Sequence, residues 1–263
     1  MRRNGGKWKK MITIINGDIF DGLKKIQDGT VDLIFIDPPY NLKKKYADDI
    51  SDRWESDDQY IIWVYKWLDI ALEKLSPNGS LYIMNTTQNM PYIDIYLREK
   101  IYVKSRIVWT YDSSGVQAKK HFGSLYEPIL FCTKHRTKYT FNRRDILIPA
   151  KTGSERNLTD YRKNPPEKYN SFKVPGNVWD FSRVRYRMKE YVEHPSQKPE
   201  VLLERIVKAS SNENDVILDL FAGTFSLGRV AQRLNRKYIG IELSKSYCKT
   251  GSERLKGAEI ITI

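Results

Sequence analysis

The sequence predicts an α/β protein: a doubly wound, mostly parallel sheet with an antiparallel edge, interrupted by an inserted surface segment. Three observations predict it. Short apolar runs of strand length alternate with stretches whose apolar residues recur at helical spacing. A strand, turn, helix, strand unit lies near the end of the chain. Between residues 133 and 192 the periodicity lapses into scattered basic, aromatic and proline residues.

Residues 11–15 read as a buried strand, followed at once by the turn Asn16-Gly17-Asp18 and the amphipathic run IFDGLKKI. A second strand, VDLIFI at 31–36, stops at Asp37-Pro38-Pro39-Tyr40, because two prolines forbid further ladder pairing. That strand therefore delivers Asp37 to its carboxyl end. Residues 41–56 are charged and loop-like, and 57–75 carry Tyr60, Ile61, Val64, Trp67, Leu68, Ala71, Leu72 and Leu75 at helical spacing. Pro77-Asn78-Gly79 breaks the run before a strand at 80–84, a short helix at 91–98, and strands at 101–109 and 125–132 joined by a polar loop. After the aperiodic segment come the helix EVLLERIVKAS behind Pro199, a strand at 216–220, a small-residue turn, a helix to about 235, a strand at 238–241 and a helix from Ser244. Neither an internal repeat nor a low-complexity tract interrupts this order.

The composition narrows the partner. Among 263 residues, 45 Lys and Arg outnumber 32 Asp and Glu, a net charge of +13 that points to a polyanion. With 40% hydrophobic and 12% aromatic residues, a folded protein carries this charge rather than a disordered tail. No run approaches 18 apolar residues and no apolar stretch follows MRRNGGKWKK, so neither a membrane span nor a signal peptide is expected, and the expected location is cytoplasmic. Cys132 and Cys248 lack metal-ligand or redox spacing and read as packing residues, so no metal is expected. In the aperiodic segment Arg143, Arg144, Lys151, Arg156, Arg162, Lys163, Arg183 and Arg185 interleave with Tyr and Phe, the mixture suited to phosphate and base contacts. Lys119 and Lys120, in the polar loop 112–123, are further candidates for phosphate contact. A solvated basic surface is the competing reading for both groups.

The chemistry gathers at two turns. Glu242 ends the strand YIGIE, 19 positions after Gly223, where an acid can accept from the two hydroxyls of a ribose. The turn Leu220-Phe221-Ala222-Gly223-Thr224-Phe225 lacks the second glycine and the lysine of phosphate-binding loops, so a nucleoside without phosphates fits better. Read alone, it is equally an ordinary tight turn.

Asp37-Pro38-Pro39-Tyr40 after a strand, together with Phe221-Ala222-Gly223, resembles the signature of amino-methyltransferases that use S-adenosylmethionine (SAM). The chain order, with the first motif before the inserted segment and the second after it, resembles the β class of DNA amino-methyltransferases. Over residues 12–254 it looks most like the DNA adenine N6-methyltransferases. The resemblance implies a permuted SAM-dependent methyltransferase fold, with a catalytic part at 11–132, a target-recognition insertion at 133–192 and a SAM-binding part at 193–263. It implies that Asp37 and the Pro38 carbonyl accept the two amino hydrogens of an extruded adenine, that Pro39 stiffens the turn, and that Tyr40 stacks on the base.

The resemblance also assigns Asp18 to the adenine amino group of SAM, a residue that reads equally well as a helix N-cap. In His194-Pro195-Ser196-Gln197-Lys198-Pro199 it assigns Lys198, with His194 and Ser196, to the methionine carboxylate, and it sets Asp219 against the methionine ammonium. Ala222, Gly223 and Thr224 with the flanking Phe221 and Phe225 form the cofactor turn. Here the sequence departs from the usual pattern, with Leu220 replacing a proline and Phe225 a glycine. The implied partner is double-stranded DNA, with a cognate restriction endonuclease and a monomer or homodimer as open features. The weighed alternatives are an N4-cytosine enzyme, which typically carries Ser in place of Asp37, an RNA adenine methyltransferase, and a binding module on an inactive scaffold.

Overall fold

The computed structural model describes residues 11–112 and 119–263. The basic segment 1–10 and loop residues 113–118 lie outside them. Nine strands build one sheet: β1 (Ile12–Asn16), β2 (Val31–Ile36), β3 (Leu75–Met84), β4 (Tyr102–Thr110), β5 (Tyr126–Thr133), β6 (Val178–Asp180), β7 (Val216–Asp219), β8 (Lys237–Glu242) and β9 (Glu259–Thr262). Their spatial order is β6-β4-β5-β3-β2-β7-β8-β1-β9. All neighbours are parallel except those of β5, which runs against both β3 and β4. The reversed strand expected at an edge thus sits third from the edge, because β6, from the inserted segment, extends the sheet beyond β4.

Both faces are covered. Helices α1 (Ile19–Lys24), α2 (Asp57–Lys74) and α3 (Met90–Arg98) pack on one, and α4 (Glu200–Ser210), α5 (Ser226–Arg233) and α6 (Lys245–Arg254) on the other. The strands serve both layers by alternation: Ile34 and Ile36 face the first core, Leu33 and Phe35 the second. Burial on both sides explains why VDLIFI is apolar without a break.

Two elements differ from expectation. Strand β3 runs straight through Pro77-Asn78-Gly79, whose residues form a bulge: Val31 pairs with Leu75, and the next pair is Leu33 with Ser80. A Cβ on Gly79 would stand 2.9 Å from the Val31 carbonyl oxygen, so the bulge needs glycine. Strand β9, which local periodicity does not announce, lies parallel to β1. In the inserted segment, Ile148–Pro149 pairs with Phe172–Lys173 and Thr159–Asp160 with Glu167–Lys168. No helix among the described residues is long and apolar enough to cross a membrane.

The carboxyl ends of β1, β2, β7 and β8 come together where α1 and α5 leave the sheet on opposite faces. In an open α/β sheet this switch point is where a crevice forms.

Candidate active site

Asp37 follows β2 into the crevice, and its two carboxylate oxygens have different partners. Oδ1 accepts from the Tyr40 hydroxyl, and Oδ2 lies 2.9 Å from the Lys198 ammonium. Lys198 enters from the extended segment before α4 and also stands 3.3 Å from Glu127 Oε2, on β5. The Lys198 side chain is 7% exposed and those of Asp37 and Glu127 15% each. Burial opposes the Lys198 charge, but the two carboxylates outweigh it and hold its pKa above the ordinary value. The Lys198 ammonium also lies 5.4 Å from the centroid of the Tyr40 ring. Tyr40 itself is buried, and burial followed by the Asp37 and Glu127 charges pushes its hydroxyl well above the usual phenol value.

The loop after Tyr40 is organised by Asp52. Its carboxylate accepts the backbone N–H groups of Tyr40, Leu42 and Lys44. The loop is tied to the far side of the crevice through Asp48, which accepts from the Ser244 hydroxyl at 2.7 Å and the Ser246 N–H at 3.0 Å.

Beside Asp37 opens a cavity of about 320 Å³ lined by Asp18, Pro38, Pro39, His194, Ser196, Lys198, Asp219, Phe221, Ala222, Gly223, Thr224 and Glu242. Asp18 is exposed and caps α1, accepting from the Phe20 N–H at 2.8 Å, so the capping role is realised at the cavity edge. Glu242 accepts the Gly223 N–H at 2.7 Å and the Ser244 N–H at 2.8 Å, one on each oxygen. Burial raises its pKa to about 7. Gly223 has φ +49, and a Cβ there would stand 3.1 Å from His194 Nε2. The His194 ring packs near Tyr46 and Tyr247, and burial with the Lys198 and Lys44 charges lowers its pKa to about 4, so it is neutral at pH 7.

Asp219 carries the most informative polar atom. Oδ2 accepts from the Tyr238 hydroxyl at 3.0 Å, whereas Oδ1 is buried and has no hydrogen-bond partner among the described residues. Burial raises its pKa to about 7. A buried acceptor without a donor is costly and suits a cationic ligand. Five acids, the Asp219 orphan among them, and an aromatic wall of Trp63, Phe221 and Tyr247 suit a nucleoside that carries a cationic group. Carboxylates are acceptors, and an acceptor set of this kind fits the amine, hydroxyl and ammonium donors of SAM.

Phe225 stands apart from the other turn residues. It takes the left-handed conformation at φ +59, and its fully buried ring turns away from the cavity lining into the second core. Glycines make the space, because a Cβ on Gly240 would stand 2.9 Å from this ring and one on Gly251 would collide with it. The larger side chain is thus accommodated without filling the cavity. Leu220 is also buried and still borders the cavity.

The basic residues spread over a wider area. Lys119, Lys120, Arg143, Arg144, Lys151, Arg156, Arg162, Lys163 and Arg185 are exposed. Arg162 is held by Asp160 and Lys163 by Glu167, so part of their charge is already matched. Arg183 stacks over Tyr111 at 4.8 Å, and Arg185 donates to the Asp112 carbonyl at 3.2 Å. Arg143 and Arg144 line a shallow groove with Tyr169, Phe172 and Lys173.

Glu127, Asp52 and Asp48 are among the site residues that sequence reading missed, with Trp63 and Tyr247 of the cavity wall. Each of the three acids acts through partners that only the folded chain brings to it, and no local pattern marks them. Among the described residues no cluster of three or more His, Cys, Asp or Glu could hold a metal. Burial pushes the thiols of Cys132 and Cys248 up, the latter to about 12, so neither is a thiolate nucleophile at neutral pH.

A doubly wound sheet with an Asp-Pro-Pro-Tyr carboxylate beside a nucleoside cavity defines a methyltransferase class. Residues 31–253 match the DNA methylase family, and the chain belongs to it. The DNA adenine methyltransferase YhdJ of Escherichia coli is 56% identical over 243 residues, 92% of this chain and 82% of that protein. The type II methyltransferase M.HpaI of Haemophilus parainfluenzae is 36% identical over 244 residues, 92% of this chain and 73% of that protein. The crystal structure of the M1.HpyAVI–SAM complex aligns with a TM-score of 0.64 at 25% identity, covering 93% of this chain and 100% of that chain. PvuII DNA methyltransferase, cytosine-N4-specific, aligns with a TM-score of 0.70 at 16% identity over 93% of this chain and 86% of that chain, a likeness of fold. SAM is the cofactor of the family.

Proposed function

We propose that the chain transfers a methyl group from SAM to N6 of adenine in double-stranded DNA. The observation that carries the reading is the 56% identity to a DNA adenine methyltransferase across 92% of the chain, with Asp37 directed into the crevice. SAM, when bound, supplies a methyl group on a sulfonium, and the bonding pair stays with sulfur on transfer.

The protein's part is to prepare the amino group and hold it. An exocyclic amine conjugated to its ring is a poor nucleophile. Asp37 and the Pro38 carbonyl accept its hydrogens, drawing the nitrogen toward tetrahedral geometry so that its lone pair can form the new bond. Each Asp37 oxygen already has one partner, and a carboxylate oxygen can accept a second bond. Lys198 fixes that carboxylate in place. After transfer the nitrogen sheds one proton, with Asp37 the nearest base to take it toward solvent.

The target base is buried in a duplex, so it enters the crevice by extrusion, at a cost of roughly a few kcal/mol. Tyr40, tied to Asp37, offers its ring to the base once that hydroxyl contact loosens. The basic residues of 133–192 and of the loop before β5 hold the DNA backbone. Type II names among the relatives support a place beside a restriction endonuclease. We further propose a cytoplasmic protein that acts as monomer or homodimer.

Incubation with methyl-labelled SAM and unmethylated duplex DNA, followed by digestion to nucleosides and mass identification, tests the proposal. The expected product is N6-methyl-deoxyadenosine. Label on deoxycytidine N4 would replace the base assignment, and label on RNA alone would replace the substrate.

A further inference from the structure

We propose that Glu127 is a positioning residue of the transfer site: by sharing the Lys198 ammonium, it keeps Asp37 an available acceptor for the amino group. This rests on the reading that Asp37 receives that group. Lys198 lies between two carboxylates that approach from different strands, Asp37 at 2.9 Å after β2 and Glu127 at 3.3 Å on β5. The Tyr40 hydroxyl bridges the same pair, donating to Asp37 and lying 3.5 Å from Glu127 Oε2. Glu127 also interacts with Tyr111, where burial and then the Glu127 charge push the hydroxyl above the usual phenol value, and the Tyr111 ring carries the Arg183 guanidinium.

The charge count gives the arrangement its consequence. Within this trio one ammonium and two carboxylates leave one net negative charge, on side chains at most 15% exposed; the half-buried Lys44 ammonium is a further cation that interacts with all three. As the amino nitrogen forms its bond to methyl it becomes cationic until it loses a proton. A fixed negative charge in surroundings of low polarity stabilises that state more than the neutral amine. Without Glu127 the Lys198 ammonium pairs one to one with Asp37, the cluster becomes neutral, and Asp37 is a weaker acceptor. Glu127 touches no reacting atom and acts through Lys198 and Tyr40.

The experiment compares wild type with Glu127→Gln and Glu127→Asp in single-turnover methylation of unmethylated duplex DNA, with SAM affinity measured by calorimetry. Glu127→Gln is nearly the same size and loses only the charge. The expected result is a transfer rate about tenfold lower or more, SAM affinity within about twofold of wild type, and partial recovery in Glu127→Asp. A Glu127→Gln rate within about twofold of wild type overturns the inference. So does a rate loss matched by an equal loss of SAM affinity, or an aspartate variant as slow as the glutamine one. If Glu127→Gln does not fold, Tyr111→Phe removes the Tyr111 hydroxyl and leaves both carboxylates; a rate lowered about threefold supports the role and an unchanged rate refutes it. A wild-type protein that methylates no DNA sinks the proposed function together with this inference, whereas active wild type with unaffected variants sinks the inference alone.

Discussion

The carboxylate of Asp52 accepts the backbone N–H of Tyr40 at 3.2 Å, and with two further N–H groups of the same loop it fixes the end of the Asp-Pro-Pro-Tyr turn. Asp52 is 1% exposed, and its removal leaves three backbone donors without their acceptor, the Tyr40 N–H among them in a buried position. Asp52→Ala is expected to lower stability by about 3 kcal/mol and to slow methyl transfer more than it weakens SAM binding. Denaturant melts and single-turnover rates check this; unchanged stability would remove the loop's assigned anchor.

Asp37→Ala is expected to reduce transfer by about 100-fold or more while SAM still binds, because the variant loses an acceptor needed at the amino group and not at the cofactor. Calorimetry with SAM alongside the labelling assay separates the two effects. A loss of SAM binding of the same size would make Asp37 a cofactor residue.

SAM binding should tighten with rising pH. Burial holds the Asp219 pKa at about 7, above the ordinary 3.8, so the free protein keeps the proton that a bound ammonium must displace. Affinity is expected to rise by about tenfold or more from pH 6 to pH 8, with proton release; Asp219→Asn should remove the Asp219 share and leave that of Glu242, whose pKa is also about 7. The sign for folding is opposite. A carboxyl whose pKa is raised on folding contributes less stability as pH climbs from about 3.8 to about 7, so this group favours the ligand-free fold on the acid side. A SAM affinity independent of pH in the wild type would refute the assignment.

Phe225→Ala is expected to cost about 3–5 kcal/mol of stability, from the cavity left between Gly240 and Gly251, with little change in SAM affinity. A variant that folds as well as wild type but binds SAM more weakly would return Phe225 to the cofactor.

Arg143→Gln with Arg144→Gln is expected to weaken DNA binding at every sequence and to reduce the slope of log affinity against log salt by about 2. Arg162→Gln with Lys163→Gln should do less, because Asp160 and Glu167 already neutralise those side chains. Fluorescence titrations at several salt concentrations decide, and equal slopes for both pairs would argue against the distinction.

Strands β1, β2, β4, β5, β7 and β8 and helices α1 to α6 were legible because periodicity, prolines and caps are local signals. Ser244 shows this, preceding α6 and accepting the Tyr247 N–H at 3.1 Å. The bulge at Pro77-Asn78-Gly79 was not legible, because the neighbouring β2 decides whether a break is a bulge or an end. Strand β9 was hidden for the same reason, its pairing with β1 being non-local. In the site, Asp37, Asp219 and Glu242 stand at strand ends and could be read there. The family resemblance assigns Lys198 to the cofactor, whereas its pairing with Asp37 and Glu127 depends on β5 running backwards between β3 and β4. Phe225 follows the same logic, since the glycines that admit its ring lie on β8 and α6.

Strand β6 carries a practical consequence. Val178, Trp179 and Asp180 run in register beside Val108, Trp109 and Thr110, and the Trp109 indole donates to the Phe181 carbonyl at 2.8 Å. The inserted segment is therefore stitched into the sheet that holds Asp37, and it is not a detachable reading head. A relative's segment transplanted into this position will fold onto the sheet only where the donor brings a matching seam along β4. Grafts limited to the tips between residues 143 and 173 leave that seam intact.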